Sequence, residues 1–225
     1  MTDHVEQLDY SAQRHRRPAH PVDPIFVNRW SPRAFDAEAI PKGDLYTILE
    51  AARWAPSAYN IQPWRFVYAM RGDAHWNDFL DLLDPFNASW AGNASALVFV
   101  VSDTMTPAHG SSPAKPSRTH SFDAGAAWAH LALQATALGY QAHAMAGIQF
   151  DDIRRRLSVP ENYQVEIAVA IGRRADPSAL APTLRDREKP SSRLPLKEIA
   201  FSEFFAQNPA GVESGPTGKY PGDSQ

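Results

Sequence analysis

Hydrophobic positions change their period several times along the chain, and each change marks an element. Leu45, Ile48, Leu49 and Ala52 fall at i, i+3, i+4 and i+7, the stripe of an amphipathic helix introduced by Ile40-Pro41 and closed by Pro56. Arg65-Phe66-Val67-Tyr68-Ala69-Met70, short, aromatic and apolar, predicts a strand. Trp76, Phe79, Leu80 and Leu83 return to helical spacing until Asp84-Pro85 breaks it. Ala96-Leu97-Val98-Phe99-Val100-Val101 is a continuous apolar run, the pattern of a strand buried on both faces. Asp123 then opens the most apolar helix, Ala124 to Leu138, with Gly139 as its stop signal. Trp128, Leu131, Ala135 and Leu138 mark one side and alanines fill most of the rest, which predicts burial all round, in the core or against a second subunit. A short extended segment over Gln141 to Met145, a surface helix from about Asp151 with Ile153 and Leu157 inward, and a strand over Val165 to Ile171 complete the pattern.

Helices alternate with strands, but the first strand pair encloses more than one helix. The fold class is therefore α+β, a mixed central sheet flanked by helices. Three regions lack periodicity. Residues 1–23 are polar, with the basic cluster Arg14-His15-Arg16-Arg17, and predict a flexible arm; the domain proper runs over 24–205, opening on the apolar anchor Ile25-Phe26-Val27. Residues 206–225, rich in Gly, Pro and Ser, predict a disordered tail. Inside the domain, residues 104–122 form a long polar stretch with three prolines, and loops of that length are usually functional.

Composition narrows the chemistry. A net charge of −3 gives no overall drive toward nucleic acid or an anionic membrane. No apolar run reaches the roughly 18 residues of a spanning helix, and the N-terminal stretch lacks a signal-like apolar core, so a cytoplasmic protein is expected. The absence of cysteine excludes disulfides, thiolate catalysis and cysteine-ligated metals. Eight histidines show no paired metal spacing, and no serine sits in a GxSxG elbow. His143 reads either as a satisfied core histidine or as a catalyst. No glycine-rich phosphate loop is present, so any bound phosphate must be held by side chains; Arg29, Arg33 and Arg193 are the candidates, though each also reads as a solvated surface charge. The loop Trp54 to Trp64 sets Ser57, Asn60 and Gln62 between a helix and a strand, a fit for a polar planar ligand and equally for an ordinary turn rich in Pro and Asn. With acid, base, thiol and metal chemistry poorly supported, a redox cofactor is the economical carrier of any reaction.

Two motifs together carry a resemblance. Arg29-Trp30-Ser31-Pro32-Arg33-Ala34-Phe35, followed by Ala55-Pro56-Ser57-Ala58-Tyr59-Asn60-Ile61-Gln62-Pro63-Trp64, resembles the FMN-dependent nitroreductase family. Asp123 to Tyr140 is similar to that family's long dimer helix, His143 to Gly147 to its flavin-edge segment, and Ser192-Arg193-Leu194-Pro195-Leu196 to its closing basic motif. The resemblance spans about residues 24–205. It implies a homodimer with two FMN sites at the subunit interface. Arg29, Trp30, Ser31 and Arg33 would lie on the phosphate, ribityl chain or pyrimidine edge, with Arg193 at the phosphate. Pro56, Ser57, Ala58 and Asn60 would reach FMN from the other subunit, Asn87 would hydrogen-bond the ring, and Ala146 and Gly147 would present a backbone amide to the flavin N5. Chemistry would reside on the flavin, with no catalytic side chain and no metal.

The implied activity is reduction of nitroaromatics, quinones or related small acceptors with NADH or NADPH as donor, in a ping-pong cycle. Two departures qualify it: many members carry an acidic residue at the position of Ala146 and a lysine at that of Trp90. Alternatives within the fold are enal or aldehyde reduction and dehalogenation, with residues 104–122 lining the substrate face. From another class, a non-catalytic flavin-binding protein would keep the same contacts without turnover.

Overall fold

The computed structural model describes residues 12, 15–108, 110 and 112–205. Most of the first fourteen residues, Arg14 among them, and the whole 206–225 tail lie outside the described residues. The chain divides into two compact units, 1–191 and 192–225.

The first unit runs α1 (Pro24–Asn28), α2 (Lys42–Arg53), β1 (Trp64–Met70), α3 (Trp76–Leu80), α4 (Pro85–Ala91), β2 (Ala96–Asp103), β3 (Met105–Thr106), β4 (Lys115–Pro116), α5 (His120–Ala137), β5 (Gln141–Met145), α6 (Phe150–Arg156), β6 (Tyr163–Gly172) and α7 (Pro182–Arg185). Four strands form one sheet in the order β1-β2-β6-β5, every pairing antiparallel. β2 is the centre of the α+β architecture, and it is buried along nearly its whole length because both faces are covered. Leu97, Phe99 and Val101 face a core shared with Trp76, Phe79, Trp90 and Ile153 from α3, α4 and α6. Ala96, Val98 and Val100 face a second core built on Leu45 and Ile48 of α2 and Ala127 and Leu131 of α5. The uninterrupted apolar run of β2 follows from this double burial.

Three short helices, α1, α4 and α7, escape the periodicity. α1 sets Ile25, Phe26 and Val27 side by side and α4 buries one large side chain, Trp90, so neither repeats a stripe, and each begins with Asp-Pro. Asp23 accepts from the Ile25 amide, and Asp84 Oδ1 accepts from the Asn87 amide at 2.7 Å. Pro follows at the first helical position, where no N–H is needed. Asp84-Pro85 therefore stops one stretch and starts the next. Within the expected loop, β3 and β4 pair as a two-residue ribbon, Met105 with Pro116 and Thr106 with Lys115. Phe26 of the expected anchor is 57% exposed, because a five-residue helix can turn only part of its surface inward.

α5 begins at His120, earlier than its apolar run. Asp123, Ala124, Ala127, Leu131, Ala132, Ala135 and Thr136 face inward. Phe122, Gly125, Ala129 and Ala137 are exposed, so burial all round is not met within one chain. The helix ends as its glycine demands: Gly139 takes φ +77°, and the Tyr140 amide reaches back to the Ala135 carbonyl at 2.8 Å. The first turn of α5 is tied to the sheet by a polar cluster. Val100 opposes Ile167 and Val101 opposes Val165, which leaves Glu166 as the extra residue of a bulge. Its Oε1 accepts from Ser102 Oγ at 2.5 Å and Ser121 Oγ at 2.8 Å, with His120 Nδ1 2.8 Å from the same Ser102 hydroxyl.

In the second unit, Leu196–Glu198 forms a 3-10 turn, and the rings of Phe201 and Phe205 lie 4.7 Å apart.

Candidate functional site

The segment between α1 and Phe35 is held by backbone only at its ends, where the Arg29 amide caps α1 on the Ile25 carbonyl and the Ala34 carbonyl accepts from the Ala175 amide, both at 2.9 Å; in between, side chains supply the contacts seen among the described residues. Arg29 Nη1 lies 3.4 Å from Ser31 Oγ, and both residues are partly exposed. Pro32 is buried, and its carbonyl accepts from His143 Nδ1 at 2.8 Å. Glu188 Oε1 accepts from the amides of Arg33 and Ala34 at 2.8 and 2.9 Å. Beyond it, Phe35 bridges Arg174. Trp30 is buried and lines a cavity of about 440 Å³ with His15, Arg174, Asp176, Glu188 and Lys189.

β5 brings His143 under this strip, and α4 brings Trp90 to His143, the ring centroids 4.6 Å apart. The Arg33 guanidinium lies 5.9 Å from the Trp90 ring centroid. Burial lowers the His143 pKa to about 4; the Pro32 carbonyl works against that shift, and the charges of Arg33 and Arg29 add to it. His143 is thus neutral at pH 7, with Nδ1 the donor and Nε2 an acceptor. It behaves as the satisfied core histidine, and its task is to fix the strip's backbone. Burial, with Arg187 in support, also lowers the Arg33 pKa, while Glu188 raises it.

One helical turn before Trp90 stands Asn87. Its Nδ2 donates to the Gly147 carbonyl at 3.0 Å, and the Asp84 amide donates to the same oxygen at 3.1 Å. The approach is so close that a Cβ on Gly147 would lie 2.0 Å from Asp84 Oδ2 and 2.7 Å from Asn87 Nδ2. Ala146, just past the end of β5, is exposed. Arg29, Ser31, Arg33, Asn87, Ala146 and Gly147 are therefore joined through one framework of His143, Trp90 and α4.

The loop 56–60 is built separately. Ser57 Oγ accepts from the Gln62 amide at 3.0 Å, and the Ala58 amide donates to Asp123 Oδ2 of α5 at 3.2 Å. Tyr59, Asn60 and Gln62 have φ values of 51°, 55° and 54°, the left-handed region that side chains disfavour. Tyr59 is 97% exposed at the tip. Pro56, Ser57, Ala58 and Asn60 thus form a stiff projection whose hydrogen bonds run to α5 and to Gln62. Arg193 belongs to the second unit, where Nη1 donates to the Ser192 carbonyl at 2.9 Å.

Sequence reasoning overlooked Glu188, for which no local pattern exists, and took Arg16 only as one of a basic cluster. Its Nη1 donates to the carbonyls of Val27 and Arg29 at 2.9 and 2.8 Å.

Chemically, the framework offers cations for an anion and hydrogen-bonding groups left over for a ligand. Arg33 Nε and Trp90 Nε1 are buried without a partner, which is costly unless something else satisfies them. These residues fit a phosphorylated planar cofactor such as FMN. Among the described residues no group of three or more histidine, cysteine, aspartate or glutamate side chains is placed to hold a metal ion. No described helix is long and apolar enough to cross a membrane.

The fold is α+β with an antiparallel central sheet, and comparison with known proteins identifies its family. The profile of the nitroreductase family matches residues 27–88 and 74–173. A solved oxidoreductase containing FMN is 53% identical, with a TM-score of 0.83, covering 85% of this chain and 96% of its own. A nitroreductase-like protein from Desulfovibrio desulfuricans, solved in complex with FMN, is 25% identical with a TM-score of 0.65, covering 83% of this chain and 100% of its own. The enone reductase of CLA biosynthesis from Lactiplantibacillus plantarum is 27% identical over 184 residues, 67% of this chain and 84% of that protein. The chain belongs to the nitroreductase family.

Proposed function

We propose that this protein is a homodimeric, FMN-dependent NAD(P)H oxidoreductase that reduces small electron-poor acceptors, nitroaromatics and quinones among them. The observation that carries the reading is the convergence of Arg29, Ser31 and Arg33 with Asn87 and Gly147 around Trp90 and His143, where Arg33 and Trp90 each keep a buried donor without a protein partner. When bound, FMN supplies hydride acceptance and donation at its ring.

The side chains bind and orient. Arg29 and Arg33 hold the phosphate, with Arg193 as a further candidate, and charge-assisted contacts of this kind contribute about 1.5–3 kcal/mol each. Ser31 and Asn87 supply hydrogen bonds that fix the ring, and the Ala146-Gly147 backbone lies at its edge. His143 holds the strip's geometry without exchanging a proton near pH 7. Ser57 and Asn60 serve the site of the second subunit. Donor and acceptor take turns at one open face, a ping-pong cycle that needs no protein acid or base for hydride transfer.

The enone reductase relative favours a second reading within the same chemistry, conjugated carbonyl compounds as acceptors. One preparation tests both. Purified protein supplemented with FMN is expected to show two flavin bands in the visible and to oxidise NADH or NADPH faster when an acceptor is added, giving parallel double-reciprocal lines. No flavin bands would overturn the cofactor assignment. Flavin binding without turnover on nitroaromatic, quinone or enone panels would leave a flavin-binding protein instead.

A further inference from the structure

We infer that two residues outside the family-matched segment, Arg16 and Glu188, are positioning residues that shape the phosphate-binding strip from its two ends. The inference rests on the FMN reading above. α1 is only five residues long, and the backbone from Trp30 to Arg33 follows it without backbone pairing among the described residues, until the Ala34 carbonyl accepts from the Ala175 amide at 2.9 Å. Such a strip holds no fixed shape of its own.

Arg16 clasps the front end. Nη1 donates to Val27 O at 2.9 Å and Arg29 O at 2.8 Å, while Nε donates to Ser191 O at 2.8 Å. Its own amide is held by the Ala12 carbonyl at 3.0 Å, and Ala12 is 1% exposed, so the clasp starts from an anchored point. Glu188 clasps the rear end, one carboxylate oxygen receiving both the Arg33 and the Ala34 amides. Between them His143 takes the Pro32 carbonyl. Three side chains, two of them from far along the chain, thus fix the strip at its start, at Pro32 and at its rear. Arg16 and Glu188 fall outside residues 27–173, so they are features of this chain that the family match does not require. A guanidinium fork is suited to two carbonyls at once, and a lysine in its place offers a single nitrogen that cannot span Ser191 and Arg29 together.

The clasp orients Arg29 and Arg33, so its loss should fall on the phosphate and spare the ring. The test is a comparison of FMN with riboflavin, titrated against the full-length apoprotein and its variants. Arg16→Ala and Glu188→Ala are each expected to weaken FMN binding roughly tenfold while riboflavin affinity changes less than about threefold. Glu188→Gln keeps an acceptor oxygen for the two amides and should retain FMN affinity, whereas Arg16→Lys should behave like Arg16→Ala and keeps the charge should the alanine variant fail to fold. Unchanged FMN affinity in the alanine variants, or a parallel loss of both flavins, would overturn the assignment. Wild-type protein that binds neither flavin would instead overturn the proposed function, and this inference with it.

Discussion

His143 shows how a single residue can look catalytic in sequence and act through its surroundings. Its pKa of about 4 lies below the ordinary 6.5 because burial penalises the imidazolium, with Arg33 and Arg29 adding to the effect. The sign of the resulting pH dependence is fixed. Above pH 6.5 the ring is neutral folded and unfolded alike, and its contribution is constant. As pH falls from 6.5 towards 4, the unfolded chain takes up the proton first, and stability drains by up to about 3 kcal/mol. Thermal melts of apoprotein between pH 7 and 4 should show that loss, and His143→Asn should flatten this part of the curve; an unchanged slope would remove His143 as its source. Gly147 makes the opposite case, a residue important for what it lacks. A methyl there would meet Asp84 Oδ2 at 2.0 Å, and that aspartate caps α4. Gly147→Ala should destabilise the fold by about 1–3 kcal/mol and weaken FMN binding, both read from melts with and without cofactor.

At the scale of elements, α5 joins the two halves of the chemistry. Its N-terminal turn holds the 56–60 loop through Asp123, and its C-terminal glycine launches Tyr140 and β5 toward His143 and Gly147. Tyr140 OH donates to Asp44 at 2.7 Å, and burial followed by that bond pushes its pKa up to about 12, so it remains a donor across the working range. Gly139→Ala would force a side chain into φ +77° and set a Cβ 3.3 Å from Arg173, and should cost about 1 kcal/mol in urea or thermal unfolding. Elements long enough to repeat a pattern were legible: α2, β1, β2, α5, β5 and β6 all stand where the spacing of Leu45, Ile48, Phe66, Val98, Leu131 and Val169 puts them. α1, α4 and α7 were not: α1 sets its apolar residues side by side, and α4 and α7 each bury one large side chain, Trp90 and Leu184, so no stripe repeats; α1 and α4 are marked only by an Asp-Pro cap. The site divides the same way. Motifs named Arg29, Arg33, Asn87 and Gly147, but no local pattern tells that Glu188 closes on residues 155 and 154 positions earlier.

For the whole molecule, α5 and the projecting loop both carry surface that one chain does not cover. Phe122 at 80% exposure, Tyr59 at 97% and Trp54 at 70% leave large apolar groups uncovered on a single chain. A second copy of the chain is the partner the proposed function requires, and it would give each strip a loop it does not make for itself. That separation has a genetic consequence. A chain with Arg33→Ala keeps a sound loop, and a chain with Asn60→Ala keeps a sound strip, yet each alone would form dimers in which both sites are damaged. Mixed in one cell, they would assemble heterodimers with one wholly intact site and one doubly damaged site, so random pairing should restore about a quarter of the wild-type sites. Two inactive alleles would complement each other, and if strip and loop served the same chain's site, no mixture would recover activity.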